Sequence, residues 1–464
     1  MYALIYKKND NEFVIMDAYY KGRWECDLPS LQIYLQYLSL QHKHLDLLSD
    51  EEAELRFKLQ CKHQGYDEEL TESIFRFIVE ENLPSLSNYD PLHLASRLDA
   101  CSEGIITPPT PIIEVTPFCN YGCTWCYIPP RDIDRELFYT QEHLDTHVIT
   151  PLLEKYGLLE WCLTGGEPSV SPDNTAQIAQ LITRRTNEIL GKDPVSIYLL
   201  TNGFHLKENI AAYKEAGINC YQVSLSSPVR EHEIALRIPP RHIDSHKEAV
   251  EGLKAVVEAG LRAEINMIIQ PNGAHAANNL EDIPQMFELA KSIGITMLRV
   301  IPAVPCGQAM ENNIWMSKEE YNRVKLMVRE GRATVPEIIV DCPIDQEIEA
   351  DREIFCRAGT LWLYINFKGE IYACNNLQNA DSLCWPRTIK EDSVDVIWEQ
   401  SELLNYMRDY ERGTLSAHCI GCDSRVECVG ECRALAWARY KQYDLVDKPG
   451  VCFKDYSLAE IRGY

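Results

Sequence analysis

From Pro111 to about Asp341 the chain alternates between short apolar runs of strand character and longer amphipathic runs, and that alternation leaves few folds open. The strand-like runs are Ile112–Val115, Leu158–Leu163, Val195–Leu200, Cys220–Leu225, Ala263–Ile269 and Thr296–Ile301. Between them lie segments such as His246–Ala259, where Ala249, Leu253, Val256 and Val257 recur at helical spacing. Repeated βα units imply a parallel sheet with right-handed crossovers. Six of them predict an α/β fold, a partial (β/α)6 barrel over residues 106–341, with its active site at the C-terminal ends of the strands.

A chain of 464 residues has room for further domains on either side. Residues 1–105 open with two β-like runs, Tyr2–Tyr6 and Glu12–Met16. The segment between them, Lys7–Asn11, contains Asn9 and Asp10, residues that tolerate the backbone of tight turns. Helical patterns follow. The clearest places Leu70, Ile74, Phe77 and Ile78 on one face of Asp67–Glu81, and Leu83-Pro84 ends it. A hairpin with about three short helices makes a small α+β module, set off by the proline-rich linker Ile105–Pro111. Residues 342–464 lose the βα rhythm and become cysteine-rich.

Composition narrows the function. A formal charge of −25 argues against a nucleic-acid partner, whose phosphates need Lys and Arg. No segment approaches the ~20 uninterrupted apolar residues of a membrane helix. Met1–Asp10 lacks the pattern of a signal peptide, so the expected location is cytoplasmic. Eighteen cysteines then call for metal rather than disulfides, because the cytosol keeps thiols reduced.

One tight cysteine group follows the first strand: Cys119-Asn-Tyr-Gly-Cys123-Thr-Trp-Cys126. Three thiolates can bind three irons of a four-iron cluster and leave the fourth open, unlike the four-cysteine sites used for electron transfer. A zinc site or three ordinary buried thiols is the competing reading of such a loop on its own. Further along, strand two leads into Gly165-Gly166-Glu167-Pro168, and strand three ends at Thr201-Asn202-Gly203. Strand four carries Ser224 and Ser226, with Arg237 after it. In this order the motifs resemble the radical S-adenosylmethionine (SAM) superfamily, whose signature places an aromatic residue before the last cysteine, here Trp125. The resemblance implies that the open iron chelates the methionyl group of S-adenosylmethionine, which is cleaved to a 5′-deoxyadenosyl radical that removes a substrate hydrogen. It implies cofactor contacts from Trp125, Gly165, Gly166, Glu167, Pro168, Thr201, Asn202, Ser224 and Ser226, and a carboxylate partner in Arg237.

The C-terminal cysteines run Cys356-x12-Gly369-x4-Cys374, then Cys419-x2-Cys422-x5-Cys428-x3-Cys432, then Cys452. This resembles the SPASM iron–sulfur domain of radical enzymes that modify peptides and proteins. The resemblance implies an outer cluster on Cys419, Cys422, Cys428 and Cys452 and an inner one on Cys356, Cys374 and Cys432. With the catalytic cluster that makes three iron–sulfur clusters of the 4Fe-4S type. Seven cysteines for eight iron sites leave two options: Cys342 or Cys384 closes the inner cluster, or one iron stays open to a substrate thiolate. A pair of zinc sites is the competing reading. Cys26, Cys61, Cys101, Cys162, Cys220 and Cys306 are expected to be core residues, and Trp161 and Trp362 to pack.

Peptide-modifying members of the superfamily often begin with a small winged-helix domain that takes the leader of a ribosomally made precursor as an added strand, and residues 1–105 resemble it. The expected activity is maturation of such a precursor peptide through a thioether or carbon–carbon cross-link, with a flavodoxin- or ferredoxin-type electron donor. Backbone excision or rearrangement is a further outcome. A sulfatase-type formylglycine maturase is the alternative, but those enzymes carry an acidic base where this chain has Asn375, a neutral amide. A non-catalytic electron carrier would leave the GGEP motif and the open iron idle.

Overall fold

The structure is a computed structural model that describes residues 3–17, 23–41, 50–129, 133–270, 278–304, 306–314, 316–342, 358–378, 387–408 and 434. The N-terminal part is a four-stranded antiparallel sheet, β1 (Ala3–Asn9), β2 (Glu12–Asp17), β3 (Arg23–Asp27) and β4 (Gly104–Ile105), in the order β3-β2-β1-β4. The hairpin turn is tighter than the sequence suggests. Asn9 already pairs with Glu12, and the Lys7 ammonium is buried, donating to Cys101 O at 3.0 Å.

Three helices follow, α1 (Leu28–Gln41), α2 (Asp50–His63) and α3 (Glu68–Glu80). α1 is apolar on two sides because it is packed on two sides. Leu31, Tyr34, Leu35 and Leu38 lie on the sheet, while Ile33 and Leu40 meet Phe57 and Cys61 of α2. The Asp67 side chain caps α3, accepting from Leu70 N at 2.8 Å.

The central sheet carries six parallel strands: β5 (Thr110–Glu114), β6 (Glu160–Thr164), β7 (Ser196–Thr201), β8 (Cys220–Ser224), β9 (Arg262–Ile269) and β10 (Met297–Pro302). Three short strands extend it. β11 (Ile339–Asp341) runs parallel to β10 at one end. At the other, β12 (Trp362–Ile365) runs parallel to β5 and β13 (Ile371–Tyr372) antiparallel to β12. Pro111, expected in the linker, pairs with Leu363 inside β5.

The two faces of this sheet differ in chemistry. Ile113, Leu163, Leu199, Val223, Ile265 and Val300 are fully buried against helices such as Ser245–Glu258 and Ile283–Ile293. The concave face carries Glu114, Thr164, Gln222 and Glu264 at successive register positions. Beyond the barrel, the helix Val394–Gln400 ties the chain back: Trp398 Nε1 donates to Thr107 O at 3.0 Å, and Lys155 meets Glu399 at 2.8 Å. Cys342 is buried at the end of β11, and half-buried Cys374 follows β13. Cys356, Cys384, Cys419, Cys422, Cys428, Cys432 and Cys452 lie outside the described residues. No helix among the described residues is long and apolar enough to cross a membrane.

Candidate active site

The loop that leaves β5 carries three thiols, Cys119, Cys123 and Cys126. Cys119 is exposed and Cys123 and Cys126 are half-buried. Backbone bonds fix the loop from two sides. Gly122 N donates to Ile238 O at 3.2 Å and Thr124 N to Leu236 O at 3.2 Å, at the end of the helix Arg230–Arg237. From the other side Gln308 N donates to Cys126 O at 2.8 Å and Asn312 Nδ2 to Thr124 O at 2.7 Å. Ile238 sits at φ 46°, a left-handed conformation costly for a β-branched side chain. Bonds at both its N–H and its C=O hold it there.

Both glycines of the Gly165-Gly166-Glu167-Pro168 motif are required, for a reason the sequence did not show. A Cβ on Gly165 would lie 2.6 Å from Thr116 O, and one on Gly166 would lie 2.3 Å from Phe118 O and 2.8 Å from Cys119 N. Their closest neighbour is thus the backbone of the cysteine loop itself. Gly166 N and Glu167 N donate to Thr116 O and Phe118 O, each at 2.7 Å. The buried Glu167 carboxylate accepts from Thr201 Oγ1 at 2.6 Å, Asn202 N at 2.6 Å and Ser169 N at 2.9 Å. Burial pushes its pKa up, and those donors pull against it. Glu167 therefore latches the end of β6 to the end of β7. Pro168, also buried, starts the turn Pro168–Val170. Asn202 Nδ2 reaches Asn120 Oδ1 at 2.9 Å, which joins β7 to the cysteine loop as well.

Arg237 is the buried cation of the site. Its guanidinium lies 5.6 Å from the Tyr121 ring centre and 5.9 Å from that of Trp125, within cation–π range. Glu233, one helical turn back, is 3.7 Å away and accepts from Ser226 N at 2.8 Å and Ser227 N at 3.0 Å. Burial pushes Glu233 up to about 7, opposed by Arg237 and those two N–H groups. Burial also pushes the Cys123 thiol up to about 11, with Arg237 opposing.

Four polar atoms here are buried with no hydrogen-bond partner: Arg237 Nε, Ser226 Oγ, Asn120 Nδ2 and Tyr121 OH. Leaving such groups unpaired costs roughly 1–3 kcal/mol each, so they are expected to meet a ligand. A guanidinium and a hydroxyl suit a carboxylate, and three clustered thiols suit iron. The donor set therefore fits S-adenosylmethionine beside a three-cysteine cluster. Ser224 is half-buried on the concave face, one strand from Asn266.

Of the barrel residues expected from the sequence, Trp125, Gly165, Gly166, Glu167, Thr201, Asn202, Ser226 and Arg237 are joined by the contacts above, whereas Ser224 is placed only by its register on β8. Asn120, Tyr121, Glu233, Gln308 and Asn312 were not expected. Of these only Glu233 carried a local signal, four residues before Arg237 on one helix.

Residues 113–290 match the radical SAM superfamily. The PqqA peptide cyclase of Granulibacter bethesdensis is 24% identical over 350 residues, covering 74% of this chain and 87% of that protein. A probable GTP 3′,8-cyclase of Methanococcus aeolicus is 27% identical over 235 residues, covering 49% of this chain and 72% of that one. Among solved structures, Streptococcus suis SuiB bound to S-adenosylmethionine has a similar fold, with a TM-score of 0.62 at 13% identity, covering 96% of this chain and 97% of SuiB. SuiB has also been solved bound to its precursor peptide SuiA. Residues 113–290, which form most of the barrel, are thus a radical SAM domain.

Proposed function

We propose that the chain is a maturase of a ribosomally made precursor peptide, forming a thioether or carbon–carbon cross-link in it. The observation that carries this reading is a groove of about 530 Å³ in the N-terminal module. Among the described residues β3 ends its sheet, and the groove runs between β3 and α3. Trp24 and Cys26 line it from the strand, and Ile74, Phe77 and Leu83 from the other side. An edge strand beside an apolar groove suits a peptide that adds as a further strand, with main-chain bonds for affinity and alternate side chains in the groove. In this reading the winged-helix-like module captures the leader. The similarity to PqqA peptide cyclase and to the fold of SuiB supports a peptide substrate.

When bound, S-adenosylmethionine and its cluster supply a carbon radical that takes a hydrogen atom from the substrate. Arg237 and Ser226 would hold the cofactor carboxylate, and the Glu167 latch keeps the GGEP turn against the cysteine loop. The 342–464 region, with Cys374 and the further cysteines of its motif, carries the auxiliary clusters in this reading. A flavodoxin- or ferredoxin-type protein supplies electrons.

The test is to incubate the reduced, cluster-loaded enzyme with S-adenosylmethionine and peptides encoded by short reading frames beside its gene. The expected product is a peptide lighter by a pair of hydrogens, cross-linked by fragmentation mass spectrometry. Formation of 5′-deoxyadenosine with every such peptide left unchanged would overturn the maturase reading.

A further inference from the structure

The concave face of the barrel is built unlike an ordinary barrel interior, which is filled by layers of branched apolar side chains. Paired register puts Ser224, Asn266, Arg299 and Asp341 in one row across β8, β9, β10 and β11. The next row holds Gln222, Glu264 and Met297. On the opposite face, Ile265, Met267, Leu298 and Val300 are fully buried against helices. The concave Ser224, Asn266, Ile268, Arg299 and Ile301 stay half-open. The row of Ser224, Asn266 and Arg299 is thus polar and half-open, a space for a guest.

Two neighbours in the row have unused hydrogen-bonding capacity. Asn266 Oδ1 is buried with no hydrogen-bond partner. On the adjoining strand, Arg299 stands between Glu264 at 3.6 Å and Asp341 at 3.9 Å, both beyond hydrogen-bond distance. Its Nε donates to Met297 Sδ at 3.2 Å, and its side chain is 23% exposed. A guanidinium has five N–H donors, and among the described residues only the one to Met297 Sδ is within hydrogen-bond distance of a partner, the carboxylates of Glu264 and Asp341 lying farther off as ion pairs. The two flanking carboxylates more than offset its single positive charge. A neutral carbonyl can take the open donors, whereas an anionic guest would face Glu264 and Asp341.

We propose that Asn266 and Arg299 clamp the backbone of one substrate residue, Asn266 Oδ1 accepting its N–H and Arg299 donating to its C=O. In an extended chain the N–H and C=O of one residue point to the same side, as antiparallel pairing uses them. Neighbouring strands stand about 4.8 Å apart, which suits that pair of groups. The clamped residue then lies one strand from Ser224, an expected cofactor contact, so its α-carbon comes next to the radical. Recognition through backbone leaves the side chain free, which suits an enzyme whose chemistry falls on a peptide. The inference rests on the peptide-substrate reading.

Three small probes deuterated at the α-carbon test it with the full-length, cluster-loaded enzyme: N-acetylglycine N-methylamide, its ester analogue O-acetylglycolic N-methylamide, and N-acetylglycine as the carboxylate. Deuterium recovered in 5′-deoxyadenosine is read by mass spectrometry. The wild-type enzyme is expected to take about threefold to tenfold more from the amide than from the ester, the worth of one hydrogen bond, and least from the carboxylate. Asn266→Leu is expected to bring the amide-to-ester ratio near one. Arg299→Met is expected to lower transfer from both while keeping the ratio. Because the readout is a ratio within one protein, a lower folded fraction does not move it. Equal transfer from amide and ester in the wild type, a ratio that survives Asn266→Leu, or preference for the carboxylate would overturn the clamp. Deuterium transfer from the amide with no precursor modified sinks the maturase reading and leaves the clamp. Precursor modified equally by wild type and both variants sinks the clamp alone.

Discussion

Gly166 shows how little slack the site has. Like Gly165, it must lack a Cβ for the GGEP turn to lie on the cysteine loop, because that atom would sit 2.3 Å from Phe118 O. Gly166→Ala is expected to push the loop off the turn, lowering iron content after anaerobic reconstitution while far-UV circular dichroism stays unchanged. Gly191→Ala, in a left-handed helix cap with nothing within 4 Å, is the control and is expected to keep its iron. Full iron occupancy in the Gly166 variant would contradict this packing argument. The glycine pair was legible in the sequence, but its physical reason was not, since residues fifty positions apart meet only after β5 and β6 pair. Tyr121 and Asn120 were illegible for the same cause. They acquire roles only when Arg237 and Asn202 are brought over them.

At the level of elements, periodicity served well where burial is one-sided. The six barrel strands were readable to within about two residues, and Asp67 marked the start of α3 through its capping chemistry. β3 escaped notice because its sequence, Arg-Trp-Glu-Cys-Asp, alternates at a half-exposed edge instead of burying an apolar face. That edge carries a prediction. Trp24→Ala and Phe77→Ala are each expected to weaken precursor binding about tenfold, as loss of an aromatic anchor does, measured by fluorescence anisotropy of a labelled leader. Unchanged affinity in both would remove the groove as the leader site. Cys26 in the same groove is expected to stay inert toward alkylation, because burial pushes its thiol up to about 12.

A second prediction concerns how the first crossover is held. The Arg185 guanidinium grips Asp145 at 2.6 Å and 2.9 Å, joining Asp145–Ile149 to the helix Pro172–Leu190. It holds the Asp145 carboxyl below its usual 3.8. A depressed carboxylate stabilises the fold above its unfolded pKa and loses that contribution as pH falls through the folded one. Arg185 is 36% exposed, so solvent screening limits the pair to about 1 kcal/mol or less. Arg185→Gln is expected to lower stability by up to that amount at pH 7, and the gap to wild type is expected to close as the pH falls below 3.8 and through the lowered Asp145 pKa. Urea titrations at neutral pH and across that fall check it.

For the whole molecule, the barrel was legible and its extensions were not. β11, β12 and β13 are two to four residues long, too short for a periodic signal. The cysteines of the C-terminal motif are readable as a pattern, although most of them lie outside the described residues. Yet β12 changes how the chain must be made. It covers the flank of β5 that β6 does not, with Trp362 beside Thr110 and Ile365 beside Ile113. On a growing polypeptide β5 emerges from the ribosome long before its second neighbour has been translated. Until then the strand bearing the cysteine loop is a bare edge, the template for sticking to another chain. Chains ended at residue 341 are therefore expected to collect in the insoluble fraction, whereas chains ended at 408 are expected to stay dispersed by sedimentation. A nascent chain that stalls midway is thus a hazard to its neighbours, and the segment that carries β12 acts as its chaperone.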